Sequence, residues 1–423
     1  MPGRARALGE PPAAGPDRLG TAYWQLWTAS GLSNLADGVF KIALPLVAIR
    51  FTRSPTLIAG LTFALTLPWL LFALQAGALA DRLDRRRAML GANLARGALL
   101  AALVIVVWLD LGAIWTLYVV ALSVGVAETI YDTSAQTILP QLVRRDQLSR
   151  ANGRLYAAEL TANQFVGPPL GGLLVAAGAA VAFTAPAALW AVAVGALMLV
   201  RGPFRIPRDR PTTMRADIAE GLRFLWRHRL LRTLAVMVGV FNFASNAAWS
   251  ILVLYAVGPE SAMGLSEPSY GLLLTATAAG SVIGSLIAAP VERRLGRARS
   301  LLLTVVGSAV LVGAPAVTAD PYLIGAAFFV GGITIVIWNV ITVSLRQRVT
   351  PDRLLGRANS GYRLVAWGTM PLGAAAGGLL AQLFGLRAVF AVMAALTLAL
   401  LAGMTTVTDH AMDAAERAAD HQD

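Results

Sequence analysis

Long apolar runs follow one another along almost the whole 423-residue chain. Most of these runs reach or exceed the roughly 20 residues that an α-helix needs to cross the hydrocarbon core of a bilayer. In lipid a backbone must satisfy its own hydrogen bonds, and an α-helix does so within one segment. The runs therefore predict an all-α polytopic membrane protein. We delimit twelve spans, at residues 22–51, 56–80, 88–109, 112–139, 148–178, 181–200, 230–257, 269–290, 299–319, 321–344, 355–382 and 385–408.

Composition excludes several other classes of protein. Hydrophobic residues make up 57% of the chain and charged residues 14%, against about 25% charged residues in a soluble domain. Cysteine is absent, so disulfides, thiolate metal sites and cysteine nucleophiles are excluded. The three histidines, His228, His410 and His421, lie outside the apolar runs. We therefore expect neither a metal site nor a cofactor in the membrane.

The arginines predict the orientation of the chain. Thirty of them fall at the N-terminus, in the even-numbered connections, at the adjoining helix ends or in the C-terminal segment. Arg50, Arg53 and Arg387 fall on the other side, and Arg96 lies inside the third span, where we expect it to snorkel to the cytoplasmic surface. The positive-inside rule then places both termini in the cytoplasm. The net charge of +12 is explained by this orientation, so we expect no nucleic-acid partner.

The connection at residues 201–229 separates the chain into two parts of six spans each. Residues 1–20 are rich in Pro and Gly and are predicted to be a disordered cytoplasmic N-terminus. Residues 21–200 and 230–408 form the two halves, and the polar residues 409–423 are predicted to be a mobile cytoplasmic tail.

Within that connection, apolar and basic residues alternate with helical spacing. Ile218, Leu222 and Leu225 recur against a basic face. This pattern predicts an amphipathic helix on the cytoplasmic membrane surface, although a plain linker with an incidental apolar face fits equally well.

The two halves are related by an internal repeat. Residues 139–174 align with residues 345–380, and polar positions such as Asn152 and Asn359 correspond as well as apolar ones. Six spans in each half give both copies the same orientation. Parallel repeats about an axis along the membrane normal are typical of transporters whose site lies between the halves.

The loop after the second span carries a known signature. The sequence "GALADRLDRRRAML" at 77–90 resembles the G-x-x-x-D-R-x-G-x-R-R loop of the major facilitator superfamily. Asp84 replaces the second glycine, so the turn there is expected to close differently. The resemblance implies a gating loop that latches the two halves, with Asp132 of the fourth span as the acid that meets its arginines. The matching residues are Gly77, Asp81, Arg82, Arg86 and Arg87.

The fifth span carries "GPPLGG" at 167–172, which resembles a motif of the antiporting exporters in that superfamily. Its members are Gly167, Pro168, Gly171 and Gly172, while Asn163 stands where the full motif has a further glycine. With the phrases around residues 53–87 and 220–234, the chain resembles the bacterial exporter branch that includes enterobactin exporters and macrolide-efflux proteins. The resemblance implies twelve helices around a central cavity, a bacterial inner-membrane location and, we expect, a monomer.

In this superfamily the first, fourth, seventh and tenth helices line the cavity. Polar and aromatic residues on those helices are our candidates for contact with substrate. They are Asn34, Asp37, Lys41, Glu128, Asn242, Asn246, Trp249, Trp338 and Asn339.

Charge inside the spans is costly and marks functional positions. Asp37, Glu128 and Glu159 lie roughly 17–23 Å along their helices from the cytoplasmic end, near the bilayer midplane. Lys41, the only lysine in the chain, follows Asp37 by one helical turn and is expected to pair with it. Glu128 and Glu159 would then have no cation. An alternative is a static ion pair beside permanently protonated glutamates.

Together with these residues, the resemblance implies a secondary transporter that exports amphipathic small molecules such as drugs, macrolide-like compounds or siderophores. We expect proton antiport by alternating access, with Asp37, Glu128 and Glu159 as proton carriers. Import or lysolipid flipping by the same fold remains an alternative. A membrane enzyme or a non-transporting sensor is less expected, because the sequence offers no metal cluster and no nucleophile–His pair. ATP hydrolysis is not expected as the driving force, because a G-x-x-x-x-G-K-[ST] loop cannot exist when the only lysine follows Phe40.

Overall fold

The computed structural model describes residues 19–82, 84–109, 111–202, 204 and 214–420. The segment predicted to be disordered, residues 1–18, lies outside these ranges. Inside them, some side chains are also not described, at residues 73–82, 136–137, 145, 149, 214–218, 352–353, 355–356, 360 and 420.

Twelve membrane helices are found within the described ranges, which confirms the predicted fold class. Eleven are individually long and apolar enough to cross a membrane, and the fifth is continuous through a change of helix type. They are α1 (Thr21–Ala48), α2 (Pro55–Arg82), α3 (Arg85–Trp108), α4 (Ile114–Ile138), α5 (Leu148–Leu160, Thr161–Val166 and Gly167–Ala177), α6 (Ala179–Leu199), α7 (Arg229–Ala256), α8 (Glu267–Leu295), α9 (Arg297–Val317), α10 (Pro321–Val349), α11 (Asp352–Phe384) and α12 (Leu386–Met404).

The repeat is visible in the backbone of the two halves. Gly178 ends α5 with φ 137°, and Gly385 ends α11 with φ 84°. Both conformations are ones that side chains with a Cβ rarely adopt. Each glycine makes a one-residue turn into the next helix, so the sixth helix of each half returns at once through the membrane.

The buried core has a different shape at the two ends of the molecule. Two further helices, Met214–Arg227 in the connection between the halves and Asp409–Asp420 after α12, lie at one end of the molecule. We call that end the linker end, and the other the opposite end. At the opposite end a single hydrophobic cluster contains residues from both halves, for example Leu46 and Ile251. At the linker end the core is divided into one cluster around Tyr131 in the first half and another around Leu345 in the second. The described cores thus join the halves only at the opposite end.

The linker between the halves contains a helix, Met214–Arg227, which we call the linker helix. Leu225 is fully buried, and Glu220 forms an ion pair with Arg357 of α11. The Cβ position of Gly221 is only 2.0 Å from the carbonyl oxygen of Arg357. The linker helix is therefore packed against α11, in addition to offering a basic face.

The C-terminal segment is a helix, Asp409–Asp420, so the prediction of a mobile tail is wrong for those residues. We call it the terminal helix. Arg297 at the start of α9 pairs with Asp413 and Glu416, and Met412 is fully buried. The segment orders because one apolar residue and three acids meet the basic turn between α8 and α9, where Asp409 also accepts from the Ala298 N–H.

Candidate functional site

Asp37 is held by a cation that the sequence analysis placed elsewhere. Its Oδ1 lies 2.6 Å from Nη1 of Arg96 on α3, and the two side chains are 4% and 0% exposed. The predictions that Arg96 reaches the membrane surface and that Asp37 pairs with Lys41 are both wrong. Lys41 was predicted as the partner because it lies one helical turn from Asp37 in the sequence. In the fold, Arg96 of α3 donates directly to the Asp37 carboxylate instead.

Arg96 is enclosed by aromatic side chains within the first half. Its guanidinium carbon lies 4.8 Å from the ring centre of Tyr131 on α4 and 5.2 Å from that of Trp190 on α6. Nε and Nη2 have no hydrogen-bond partner among the described residues, so the ring faces take the place of acceptors. A lone arginine in an apolar span marks Arg96 as unusual in the sequence. The sequence alone does not show that its partner is Asp37.

Lys41 bridges α1 and α4. Its Nζ lies 2.9 Å from Oε1 of Glu128, and the side chains are 35% and 10% exposed. The prediction that Glu128 lacks a cation is therefore wrong. This pair differs from Asp37–Arg96 because its lysine is partly open, whereas the other pair is closed on all sides.

Two further acids lie on α4 and α5 of the first half. Asp132 follows Glu128 by one turn of α4 and lies within electrostatic reach of Lys41, Arg96 and Arg363 of α11. Glu159 is partly exposed on α5 and makes no ion pair or side-chain hydrogen bond with the described residues. The first half thus carries more acids than bases at this depth.

α1 and α5 touch where α5 changes helix type. Residues Thr161–Val166 are π-helical and none of them is buried. Asn163 in this segment donates weakly to Asn34 at 3.4 Å, and its carbonyl oxygen lies 2.6 Å from the Cβ position of Gly38. A π-helical turn inside an α-helix is frequent at functional sites, and this one was not predicted.

The antiporter-like motif packs α5 on both neighbours. The Cβ position of Gly167 is 2.7 Å from Gly38 Cα, and that of Gly171 is 3.1 Å from the Val39 carbonyl oxygen on α1. Gly172 faces α8, 2.3 Å from the Glu267 carbonyl oxygen, and Pro168 approaches the same helix through Gly271. The motif therefore forms part of the contact between halves at the opposite end.

The candidate substrate-contact residues of the second half also make contacts within that half. Asn242 donates to the Ala366 carbonyl oxygen of α11 at 2.7 Å, and Asn246 donates to the Asn242 carbonyl oxygen at 3.0 Å. Trp338 and Asn339, with Asn242, line a cavity of about 80 Å³ between α7, α9, α10 and α12.

Trp249 packs on Phe328 with ring centres 5.0 Å apart. Trp249 and Trp338 thus pack against residues of the second half while each stays partly exposed, and their contact with substrate stays a prediction. Both rings are large enough to fill gaps between helices, and burial there removes more apolar area from water.

The predicted gating loop lies partly outside the described side chains, at Gly77, Asp81 and Arg82. Arg86 donates to the Leu197 and Met198 carbonyl oxygens at the end of α6 at 2.9 and 2.8 Å, so it does not meet Asp132 as expected. Arg87 is exposed.

Asp84, the departure from the motif, caps α3 by accepting from the Arg87 N–H and also accepts from the Phe204 N–H. A capping carboxylate closes this turn where the motif has a glycine.

Comparison with known proteins decides the family. The model of the transmembrane secretion effector family matches residues 18–422. The chain belongs to this family, within the major facilitator superfamily. The curated relatives support the drug and siderophore exporter branch, and this chain is a multi-pass membrane transporter of small molecules.

Two relatives and one solved structure show the extent of the similarity. The multidrug efflux pump Tap of Mycobacterium tuberculosis (strain ATCC 25618 / H37Rv) is 29% identical over 382 residues, covering 86% of this chain and 88% of Tap. The enterobactin exporter EntS of Salmonella typhimurium (strain LT2) is 28% identical over 346 residues and 80% of each chain. A bacterial homologue of the iron transporter ferroportin, solved in an inward-facing state, superposes with a TM-score of 0.73 at 18% identity, covering 91% of this chain and 98% of that chain.

Proposed function

We propose that this protein is a proton-driven exporter of amphipathic small molecules in the bacterial inner membrane. The observation that carries the proposal is the Lys41–Glu128 pair, which joins α1 to α4 at membrane depth and is partly open. Protonation of Glu128 removes its attraction for Lys41, and loss of that proton restores it. Proton transfer is thereby coupled to a contact between two helices.

The two ion pairs suggest a division of roles. A proton on Asp37 would leave the Arg96 cation buried without a counter-ion, which is strongly unfavourable. We therefore assign Asp37–Arg96 to holding α1 on α3, and Glu128 to carrying the proton. Glu159, with no partner among the described residues, is the second candidate carrier.

Alternating access is supported by the two ends of the core. The halves share one hydrophobic cluster at the opposite end and have separate clusters at the linker end. Thr161 and Gln164 of α5 are exposed at membrane depth, where polar side chains favour a water-filled space over lipid. With both termini in the cytoplasm, as the arginines predict, this arrangement supports an inward-open state.

The relatives support export, since Tap is an efflux pump and EntS an exporter. Inside-out vesicles test it directly, with neutral Nile red and cationic rhodamine 6G as probes. We expect an acid interior to drive accumulation of at least one probe and Glu128→Gln to abolish that response. Glu260→Gln, an exposed carboxylate in the α7–α8 connection, is the matched control and should transport normally. Full proton-driven accumulation by Glu128→Gln would refute the role of Glu128, and accumulation only with an acid exterior would refute export.

A further inference from the structure

Lys41 is the only lysine in the chain, and its ammonium nitrogen lies 2.9 Å from Oε1 of Glu128. We propose that Lys41 is a tethered competitor, and that the protonated amine of a substrate displaces it from Glu128. The inference rests on the proposed function and names the class of substrate for the same site: amphipathic amines.

The first argument is the contrast between the two ion pairs. Asp37 is 4% exposed and meets a guanidinium that is 0% exposed, so no substrate can reach that carboxylate without disrupting the first half. Lys41 is 35% exposed, and an ammonium on a flexible four-carbon stem can swing away from its partner. Glu128 is the acid that can exchange one cation for another.

The second argument is the charge around Glu128. On α1, Asp37 and Lys41 act on the region; on α3, Arg96; on α4, Glu128 itself and Asp132; and from α11, Arg363 acts on Asp132. Asp37 and Arg96 neutralise each other. When Lys41 leaves Glu128, the Glu128 carboxylate loses its cation, which favours a cationic ligand over an anionic one.

The third argument is the chemical match. The group to be displaced is a primary ammonium at the end of an apolar chain, and an amphipathic amine presents the same pair of features. A carboxylate or catecholate group would instead have to bind Lys41 beside Glu128 and Asp132, which like-charge repulsion opposes.

Equilibrium binding to the full chain in lipid nanodiscs tests the proposal. The probes are dansylcadaverine, a fluorescent primary amine, and its neutral N-acetyl derivative. A receptor whose free form is only fractionally available binds more weakly by that fraction, so Lys41→Met should bind dansylcadaverine about tenfold more tightly than wild type. Lys41→Arg keeps the competing charge and should stay close to wild type. Binding of the N-acetyl derivative should be the same in all three.

Glu128→Gln gives the second arm. It should reduce the preference for the amine over the N-acetyl derivative, and adding Lys41→Met to it should bring no further gain, because the gain acts through Glu128. Equal or weaker amine binding by Lys41→Met at every pH between about 6 and 9 would overturn the proposal, provided that N-acetyl binding shows an intact fold. An equal gain for both probes would also overturn it.

The proposed function can fail separately. If Nile red accumulates in response to the proton gradient but Lys41→Met does not change amine binding, the proposed export stands and the competition by Lys41 is rejected. If Lys41→Met changes amine binding but no proton-driven transport is seen, the competition by Lys41 stands and the proposed export is rejected.

Discussion

Arg96 of α3 and Asp37 of α1 form an ion pair of 2.6 Å that is closed to solvent on all sides. Two aromatic rings face the guanidinium. Removing one partner of a buried pair leaves an uncompensated charge, whereas replacing both partners is often nearly neutral. This relationship makes the pair a test of structure separate from transport.

Arg96→Met should lower the stability of the protein by about 3–5 kcal/mol, seen as a lower thermal midpoint in detergent. Adding Asp37→Asn to it should recover most of that loss, since no charge is then left buried. Arg387→Met, which removes an exposed arginine, should change stability by no more than about 0.5 kcal/mol. Wild-type stability of Arg96→Met would contradict the pairing of Arg96 with Asp37.

Gly172→Ala should open the opposite end. The new Cβ would lie 2.3 Å from the Glu267 carbonyl oxygen of α8, and a backbone atom yields only if the helices separate. The chain has no cysteine, so an added one is a unique label. Ala59→Cys, at a buried position beside Gly378 of α11, should react faster with a membrane-impermeant maleimide when Gly172→Ala is also present.

The control for that experiment is Gly195→Ala on α6, whose Cβ position has no neighbour within 4 Å. It should leave the labelling rate of Ala59→Cys unchanged. An unchanged rate with Gly172→Ala as well would show that the motif does not hold the halves together.

Deleting Thr161 should convert the π-helical segment of α5 to a regular α-helix. A π turn accommodates one residue more than an α turn, so the deletion keeps the faces of the flanking helix segments and removes the bulge at which Asn163 meets Asn34 and Gly38. The seam at Gly167 and Gly172 is unaffected, so we expect a folded protein with transport reduced more than tenfold. Thr161→Ala, which keeps the chain length, should transport normally. Normal transport by the deletion would exclude a functional role for the π turn.

Arg297→Gln should release the terminal helix. Arg297 pairs with two of its acids, Asp413 and Glu416, and a partly exposed network of this kind weakens with salt. Trypsin should then cleave at Arg417 faster than in wild type, and wild type in high salt should approach the variant. Cleavage at the same rate in all three conditions would mean that the buried Met412 holds the helix alone.

The membrane helices could be predicted from hydropathy, because each span is a continuous apolar run of about 20 residues in the sequence. The repeat could also be found, since Gly178 and Gly385 lie at corresponding places in two similar sequences. The ion pairs could not. The sequence shows that Lys41 is one helical turn from Asp37. It does not show that Glu128 is the partner of Lys41 or that Arg96 is the partner of Asp37, because both pairs depend on how α1, α3 and α4 pack.

Helix type was another limit. The π turn at Thr161–Val166 depends on where α5 must meet α1 and α8 rather than on any residue preference. The directions of Trp249 and Trp338 likewise depend on which neighbouring gaps need filling. Helical spacing shows which residues share one face of a helix. Which residues at the edge of that face pack against neighbouring helices depends on the fold.

The core that joins the halves at the opposite end has a consequence for each half on its own. A first half without the second would present the faces around Gly172 and Ala59 with no cover, although its linker end would keep a complete core. Two six-helix chains produced from a divided gene should therefore find each other in the membrane and rebuild the seam. The same dependence suits an ancestor of six helices that worked as a pair of identical chains.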